Sequence, residues 1–248
     1  MRIKIQFTKN TQAVPVNNQH MLNSYIHKCL GVNNKYHDAP SNYNISHLYG
    51  GKLIGDELQF NEGGYFVVSS MDQEFLTKLL MGVLNNQDLF CGMKFSGNNF
   101  ITEKFYDGWN YFATLSPFIV KELVGDNKRF LTLDDKDFES KLESYLINKL
   151  SRVNPELDLL DFRVEVPKNS SHKVKTVFVK NIMNKANQCQ VNIFTNKAAA
   201  ETLYNIGLGK SAGSGFGCIY KTENHHLYRT GVKLNAGVEL KKRPETIS

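Results

Sequence analysis

The chain has 248 residues, of which 41% are hydrophobic and 22% charged. That is enough chain for a self-sufficient core in one large domain or two small ones, and the composition excludes disorder as the main theme. Thirty Lys and Arg against 24 Asp and Glu leave a net charge of +6. This moderately basic balance permits a nucleic-acid partner and equally suits a basic enzyme without one.

The four cysteines, Cys29, Cys91, Cys189 and Cys218, are widely spaced and form no C-x-x-C pair, which argues against a tetrahedral zinc site. No apolar run approaches the length that spans a bilayer. The expectation is a soluble, cytoplasmic protein with reduced thiols.

Residues 2–7 alternate strictly, with Ile3, Ile5 and Phe7 facing one way, and read as a strand rather than a signal peptide. Met21, Leu22, Tyr25, Ile26, Cys29 and Leu30 recur at helical spacing and predict a helix over about 17–30, ended by Gly31. After an Asn-rich loop, short strands are expected at 43–49, 57–60 and 65–69. Ser70 and Gln73 form a capping box for a helix at 71–84, with Phe75, Leu76, Leu79, Leu80 and Val83 inward. Extended segments follow near 87–94 and 98–106. The order strand–helix–strand–strand–helix–strand is the split βαβ plan of a ferredoxin-like domain.

The second half repeats that order. Strands are expected at 118–121 and 130–133 around a Gly-Asp-Asn turn. A helix runs from the acidic Asp134–Asp137 to about Leu150. Leu160, Phe162, Val164 and Val166 alternate with polar residues, as in a half-buried strand. Further strands cover about 173–180 and 188–193. Asn196 caps a helix at 197–206, Gly207 ends it, and a last strand lies near 216–220. The fold class is therefore α+β, two tandem ferredoxin-like (RRM-like) domains with a C-terminal glycine-rich loop. The division falls near 113–118, giving domains of 1–115 and 116–248, and the basic tail 221–248 completes no further unit.

Gly207-Leu208-Gly209-Lys210-Ser211-Ala212-Gly213-Ser214-Gly215-Phe216-Gly217 holds five glycines between a helix and a strand. Glycine permits positive φ and close approach of the backbone to a ligand, and bare N–H groups in such a loop can hold phosphates. Gly209-Lys210-Ser211 is not a nucleotide P-loop, because Tyr204 stands where that motif needs its first glycine and the loop follows a helix. A phosphate contact is favoured over a mobile hairpin connection.

A glycine-rich loop ending Gly-Phe-Gly after tandem ferredoxin-like units resembles the CRISPR repeat-processing endoribonucleases of the repeat-associated mysterious protein (RAMP) superfamily. Three more segments carry the resemblance. Val14–Leu22 looks like the family's entry to its first helix, Tyr43–Leu48 like its second strand, and Thr114-Leu115-Ser116-Pro117 like the start of its second domain. The resemblance covers about residues 1–220. It implies a metal-independent endoribonuclease that cleaves CRISPR precursor RNA within repeats, leaving 5′-hydroxyl and 2′,3′-cyclic phosphate ends. It implies no cofactor, repeat RNA as partner, a CRISPR effector complex as destination of the guide RNA, no membrane, and a monomer or homodimer.

Such cleavage needs a base for the 2′-OH, an acid for the 5′ leaving oxygen, and a donor for the phosphorane, and histidine suits the first two roles. His37, in Tyr36-His37-Asp38, stands where the family places its catalytic His. His27 lies where some members carry a catalytic Tyr, on one helical face with His20 and Ser24. His47 is a further catalytic candidate, whose plainer reading is a strand-surface residue. The Lys that several members carry after the catalytic His is missing from 38–42. Lys35 or Lys52 can take its place, or His27 can pair with His37. His172, His225 and His226 are read as RNA-facing or incidental.

RNA contact is expected from Gly207, Gly209, Lys210, Gly213, Gly215, Phe216 and Gly217 of the loop. Lys168, Lys173, Lys175 and Lys180 join them, with Lys121, Lys128 and Arg129 as a second basic group. The aromatic signature of RRM base stacking is absent. Two other functions fit the fold: a non-catalytic RAMP-type subunit that binds guide RNA in an effector complex, and a small-molecule enzyme or regulatory module.

Overall fold

A computed structural model describes residues 1–31, 34–36, 42–168, 172–180 and 182–222. The first half runs β1 (Arg2–Phe7), β2 (Val14–Pro15), α1 (Gln19–Leu30), β3 (Tyr43–Ile45), β4 (Lys52–Ile54), β5 (Glu57–Gln59), β6 (Gly64–Ser70), α2 (Gln73–Asn85) and β7 (Phe95–Ile101). The second runs β8 (Gly108–Thr114), β9 (Val120–Val124), β10 (Asn127–Leu131), α3 (Phe138–Val153), β11 (Arg163–Glu165), β12 (Lys173–Val179), β13 (Ile182–Gln188), β14 (Gln190–Thr195), α4 (Lys197–Ile206) and β15 (Ile219–Lys221).

Two antiparallel four-stranded sheets organise these elements, in the orders β3-β6-β1-β7 and β11-β14-β8-β15. With the insertions set aside, each half is strand–helix–strand–strand–helix–strand, and each sheet has the spatial order second-third-first-fourth. The chain is thus a tandem of ferredoxin-like folds. The insertions are a small sheet β2-β5-β4 and two hairpins, β9–β10 and β12–β13.

Each sheet buries one face under its own helix pair. Ile3, Ile5 and Phe7 pack with Leu22 and Ile26 of α1 and with Phe75 and Leu79 of α2. Phe112, Val191 and Ile193 pack with Leu142 and Leu146 of α3 and with Leu203 of α4.

Most helix ends lie where the sequence signals put them. Gly31 (φ 92°) closes α1 and Gly207 (φ 72°) closes α4. The Asn196 side chain accepts the Ala199 N–H at 2.8 Å. The start of α2 differs from the expected capping box: Asp72 is the cap, accepting the N–H groups of Glu74 and Phe75, and the Ser70 hydroxyl accepts the Asp72 N–H. An ionised carboxylate is the stronger acceptor at a helix N-terminus, so the helix begins two residues later.

The segment just before the expected domain division has its own strand. β8 pairs with both β14 and β15, so the chain changes sheet between Ile101 and Gly108. The segments expected at 118–121 and 130–133 are the inserted hairpin β9–β10.

Candidate nucleic-acid interface at the glycine-rich loop

The loop that leaves α4 folds into a short 3-10 turn at Ala212–Ser214 and is packed between the two halves. Gly207, Gly209, Gly215 and Gly217 all have φ between 69° and 98°, a region in which a Cβ is costly. Space forbids a side chain as well. A Cβ on Gly217 would stand 1.8 Å from the Leu208 carbonyl oxygen, and one on Gly215 2.2 Å from the Gln19 amide. These glycines are needed for close packing, whatever else the loop does.

The segments that carry the family resemblance meet at this loop. Gln19, at the start of α1, lies against Gly215, and Asn23 one turn later donates to the Ser214 carbonyl. Asn44 of β3 donates to the Phe216 carbonyl at 3.0 Å. The Ser116 hydroxyl accepts the Cys218 N–H, and the Pro117 carbonyl accepts the Gly217 N–H. Tyr49 donates its hydroxyl to the Leu115 carbonyl.

From below, Lys149 of α3 holds the same loop. Its buried ammonium donates to the carbonyls of Ile206, Gly207 and Gly209 at 2.8–3.0 Å. The first two are carbonyls that the end of α4 leaves without helical partners, and the third belongs to the loop beyond it. Burial, then the neighbouring Arg152, pushes the pKa of this amine down to about 7.

The N–H groups of Gly207, Leu208, Lys210 and residues 214–218 are taken by protein acceptors. The side chains of Lys210 and Ser211 are exposed at the loop tip. Phe216 is buried with Ile119 and Ala186, under Val177 and Val179 of β12 and Phe130 of β10, and anchors the loop. Gly213 sits in the middle of the 3-10 turn.

The histidine candidates distribute unevenly. His27 is half-buried on α1, one turn beyond Asn23 on the stripe Gln19–Asn23–His27 that meets the loop. His47 follows β3, with its ring edge-on to Phe216 at 6.2 Å between centroids. Its Nε2 is buried without a hydrogen-bond partner among the described residues. Burial, reinforced by the Lys175 charge, pushes the pKa of the imidazole down to about 4. His37 lies outside the described residues. Its neighbour Tyr36 is held by Asp72 at 3.0 Å and by the rings of Tyr43 and Phe75. His225 and His226 also lie outside the described residues.

Lys52 opens β4 in the small sheet, exposed, and makes none of the loop's hydrogen bonds. Lys35 is paired with Glu74 at 2.7 Å. Lys173, Lys175 and Lys180 lie on or at the end of β12, all exposed, and Lys168 is exposed after β11. His172 precedes β12, and burial lowers its pKa. Arg129 is committed to Glu122 and Asp135. Sequence reasoning passed over Lys149, Gln19, Asn23 and Asn44. A lysine on a helix face has no pattern that marks it as buried, and the amides are recognisable only by what folds against them.

Residues 101–220 match the family model "CRISPR associated protein Cas6, C-terminal". No curated protein matches the sequence. Among solved structures, the chain is similar to a Cas6-related protein from Pyrococcus furiosus, at 21% identity and a TM-score of 0.78, covering 90% of this chain and 98% of that one. A RAMP protein described as binding different RNA substrates gives 21% identity and a TM-score of 0.77, with 90% and 100% covered. A Cas6 product complex, of a protein from Thermus thermophilus, gives 14% and 0.61, with 89% and 98% covered. The segment from the end of β7 through β15 therefore matches the C-terminal domain of Cas6, and the chain as a whole has the tandem ferredoxin-like fold of these Cas6 and RAMP structures.

Proposed function

We propose that this chain is a metal-independent endoribonuclease that cleaves CRISPR precursor RNA within its repeats. The 2′-OH beside the scissile bond loses its proton to a base and attacks the adjacent phosphorus. The P–O5′ bond breaks, and the 5′ oxygen takes a proton from an acid. The products carry a 2′,3′-cyclic phosphate and a 5′-hydroxyl. The observation that carries this reading is the docking of the glycine-rich loop, within the segment that matches the Cas6 C-terminal domain, onto α1, which holds His27, and onto β3, which His47 follows.

His37 is the first choice for the catalytic histidine, from its place in Tyr36-His37-Asp38. His27 is the second, as its partner or replacement. His47, held neutral by burial, suits a base or an acceptor and not an acid at neutral pH. Lys175 beside it supplies positive charge for a crowded phosphate, and Lys52 is the alternative cation. Lys168, Lys173, Lys180 and Lys210 neutralise phosphates along the path. Gly207, Gly209, Gly213, Gly215, Gly217 and the anchor Phe216 shape the loop that the RNA backbone follows.

A second reading is a non-catalytic RAMP-type subunit that binds guide RNA in an effector complex. It is favoured by one observation, the burial of the His47 ring with its Nε2 unpartnered among the described residues, which holds the imidazole neutral and removes one candidate acid.

The test is cleavage of a labelled cognate repeat RNA in EDTA. The expected result is cutting by the wild type, resistance of a 2′-deoxy substrate at the cut site, and loss of most of the rate in His37→Ala. If His37→Ala is unaffected, the site moves to His27 or His47. Binding of the repeat without cutting establishes the second reading.

A further inference from the structure

Carboxylates gather at one end of the second sheet. Asp107 immediately precedes β8, Asp158 and Asp161 lie between α3 and β11, and all three are exposed. With Phe162, Phe194 and Thr195 they line a cavity of about 200 Å³. A neighbouring cavity shares Asp107 and Asp158 and adds Glu156 and Glu201, with the cation Lys197 at its wall. The chain carries a net charge of +6, yet this end of it repels phosphate.

The groups that the first cavity leaves open are oxygens. Asp107 gives one carboxylate oxygen to the Lys197 N–H at 2.7 Å, and Asp158 gives one to the Leu160 N–H at 3.1 Å. Neither these two nor Asp161 is in an ion pair among the described residues. Thr195, the last residue of β14, is 4% exposed, and its hydroxyl has no hydrogen-bond partner among the described residues. Such an orphan is costly unless a ligand meets it. Asn196 is already committed, donating to the Asp158 carbonyl and accepting the Ala199 N–H. A ligand that completes this set brings N–H donors and positive charge. The aromatic wall suits the same chemistry, since the Arg163 guanidinium lies over the Phe194 ring at 4.5 Å.

The chain's own course points to the source of that group. β15 runs antiparallel to β8, and the Thr222 N–H extends the ladder to the Tyr111 carbonyl. Tyr111 stands three residues from Gly108, which also lines the cavity. The chain therefore leaves Thr222 heading for the cavity, about 10 Å further along the strand direction. Residues 223–248 lie outside the described residues. They include Lys241-Lys242-Arg243, their densest run of cations, nineteen residues beyond Thr222. A flexible connection of that length spans about 25 Å. Tethering holds the run near the cavity at about millimolar local concentration, which a free cation has to exceed.

We infer that this cavity binds an ammonium or guanidinium group, and that its occupant is the Lys241-Lys242-Arg243 run of the same chain. The tail is then latched to the end of the second sheet by charge. The inference is independent of the nuclease reading.

The test follows trypsin cleavage of the full-length protein at low salt without RNA, read by mass spectrometry. Cleavage after Lys241 and Lys242 is compared with cleavage after Lys233 in the same tail, so each molecule carries its own reference. The site variant is Asp158→Asn/Asp161→Asn, and the control of equal net charge is Asp56→Asn/Glu62→Gln. All four positions are exposed, and thermal unfolding checks that each variant keeps its fold. The wild-type ratio is expected to be ~5–10-fold lower than that of the site variant, as a tethered pair of millimolar affinity gives. Salt at about 0.5 M is expected to erase the difference by screening, and the control is expected to follow wild type. Equal ratios in wild type and site variant overturn the tail as occupant. Protection that fades when the protein is diluted about a hundredfold overturns it too and gives the cavity to the tail of a second copy. Spermidine is the probe for a free cation: if the ratios are equal and spermidine raises the unfolding temperature of wild type but not of the site variant, the ligand is a free polyamine and not the tail. Repeat cleavage is measured separately, so the nuclease reading stands or falls on its own.

Discussion

The side-chain amide of Asn44 donates to the carbonyl of Phe216 at 3.0 Å, which ties the second strand of the first sheet to the loop that completes the second. Both groups are buried, so neither can turn to water if the other is lost. Asn44→Ala removes the donor and leaves the carbonyl alone. The expected loss is about 1–3 kcal/mol, the cost of an orphaned buried acceptor, read by urea unfolding. A change under about 0.5 kcal/mol would show that the loop relaxes freely and that this contact does not fasten it.

Two glycines with similar backbone geometry separate conformation from space. Gly125, in the β9–β10 turn, has φ 60° and open space for 4 Å around the place a Cβ would take, while Gly217 has φ 75° and the Leu208 carbonyl at 1.8 Å. Gly125→Ala is expected to cost only the left-handed penalty, about 1–2 kcal/mol. Gly217→Ala adds a backbone collision inside the interface and is expected to cost at least about 3 kcal/mol or prevent folding. Unfolding curves of the two variants decide it; equal costs would mean that the loop is loose enough to step aside.

Much of the fold was legible because each half has one clean amphipathic pattern per element. Ile3-Ile5-Phe7 and Phe75–Val83 have a single buried face, and Asn196 and Gly207 bracket α4 with chemistry that only helix ends want. β8 was not legible. It lies between β14 and β15, and Phe112, Ala113 and Thr114 are buried in succession, so its period of two is lost. The loop was legible as unusual but not as packed: glycine spacing records that side chains are unwelcome, not whether a phosphate or a carbonyl excludes them. At Gly209 the excluding atom is the Ile119 carbonyl oxygen, 2.3 Å from a Cβ position.

Lys149 makes stability depend on pH in a window that few other groups share. Its amine titrates near 7 in the folded protein against an ordinary value of 10.5. Between these values the unfolded chain binds the extra proton, so raising the pH favours the folded state. Wild type is therefore expected to gain on Lys149→Met as pH rises from 7 to 10, by up to about 1.4 kcal/mol per pH unit. Below 7 the difference between them is expected to be flat. The orphaned carbonyls in the variant shift its curve by a constant and leave the slope untouched. Parallel stability curves for the two proteins would place the Lys149 titration near that of an exposed lysine.

His47 titrates in the opposite part of the range. Burial is the main cause of its low position near 4, and the Lys175 charge adds to it. The imidazole is thus neutral throughout pH 5–8 and can accept a proton only through a transient rise in basicity, as when a phosphate draws near. NMR of the ring protons is expected to show a midpoint near 4 for this residue, moving up in Lys175→Gln because a repelling charge is gone. Linkage gives a second readout. The unfolded imidazole takes its proton near 6.5 and the folded one near 4, so stability falls as pH drops through that window and falls less in His47→Gln. A midpoint near 6.5 in the free protein would open His47 to acid catalysis at neutral pH. A midpoint that rises only when repeat RNA is bound would instead place a phosphate beside the ring, within reach of the loop that Phe216 anchors.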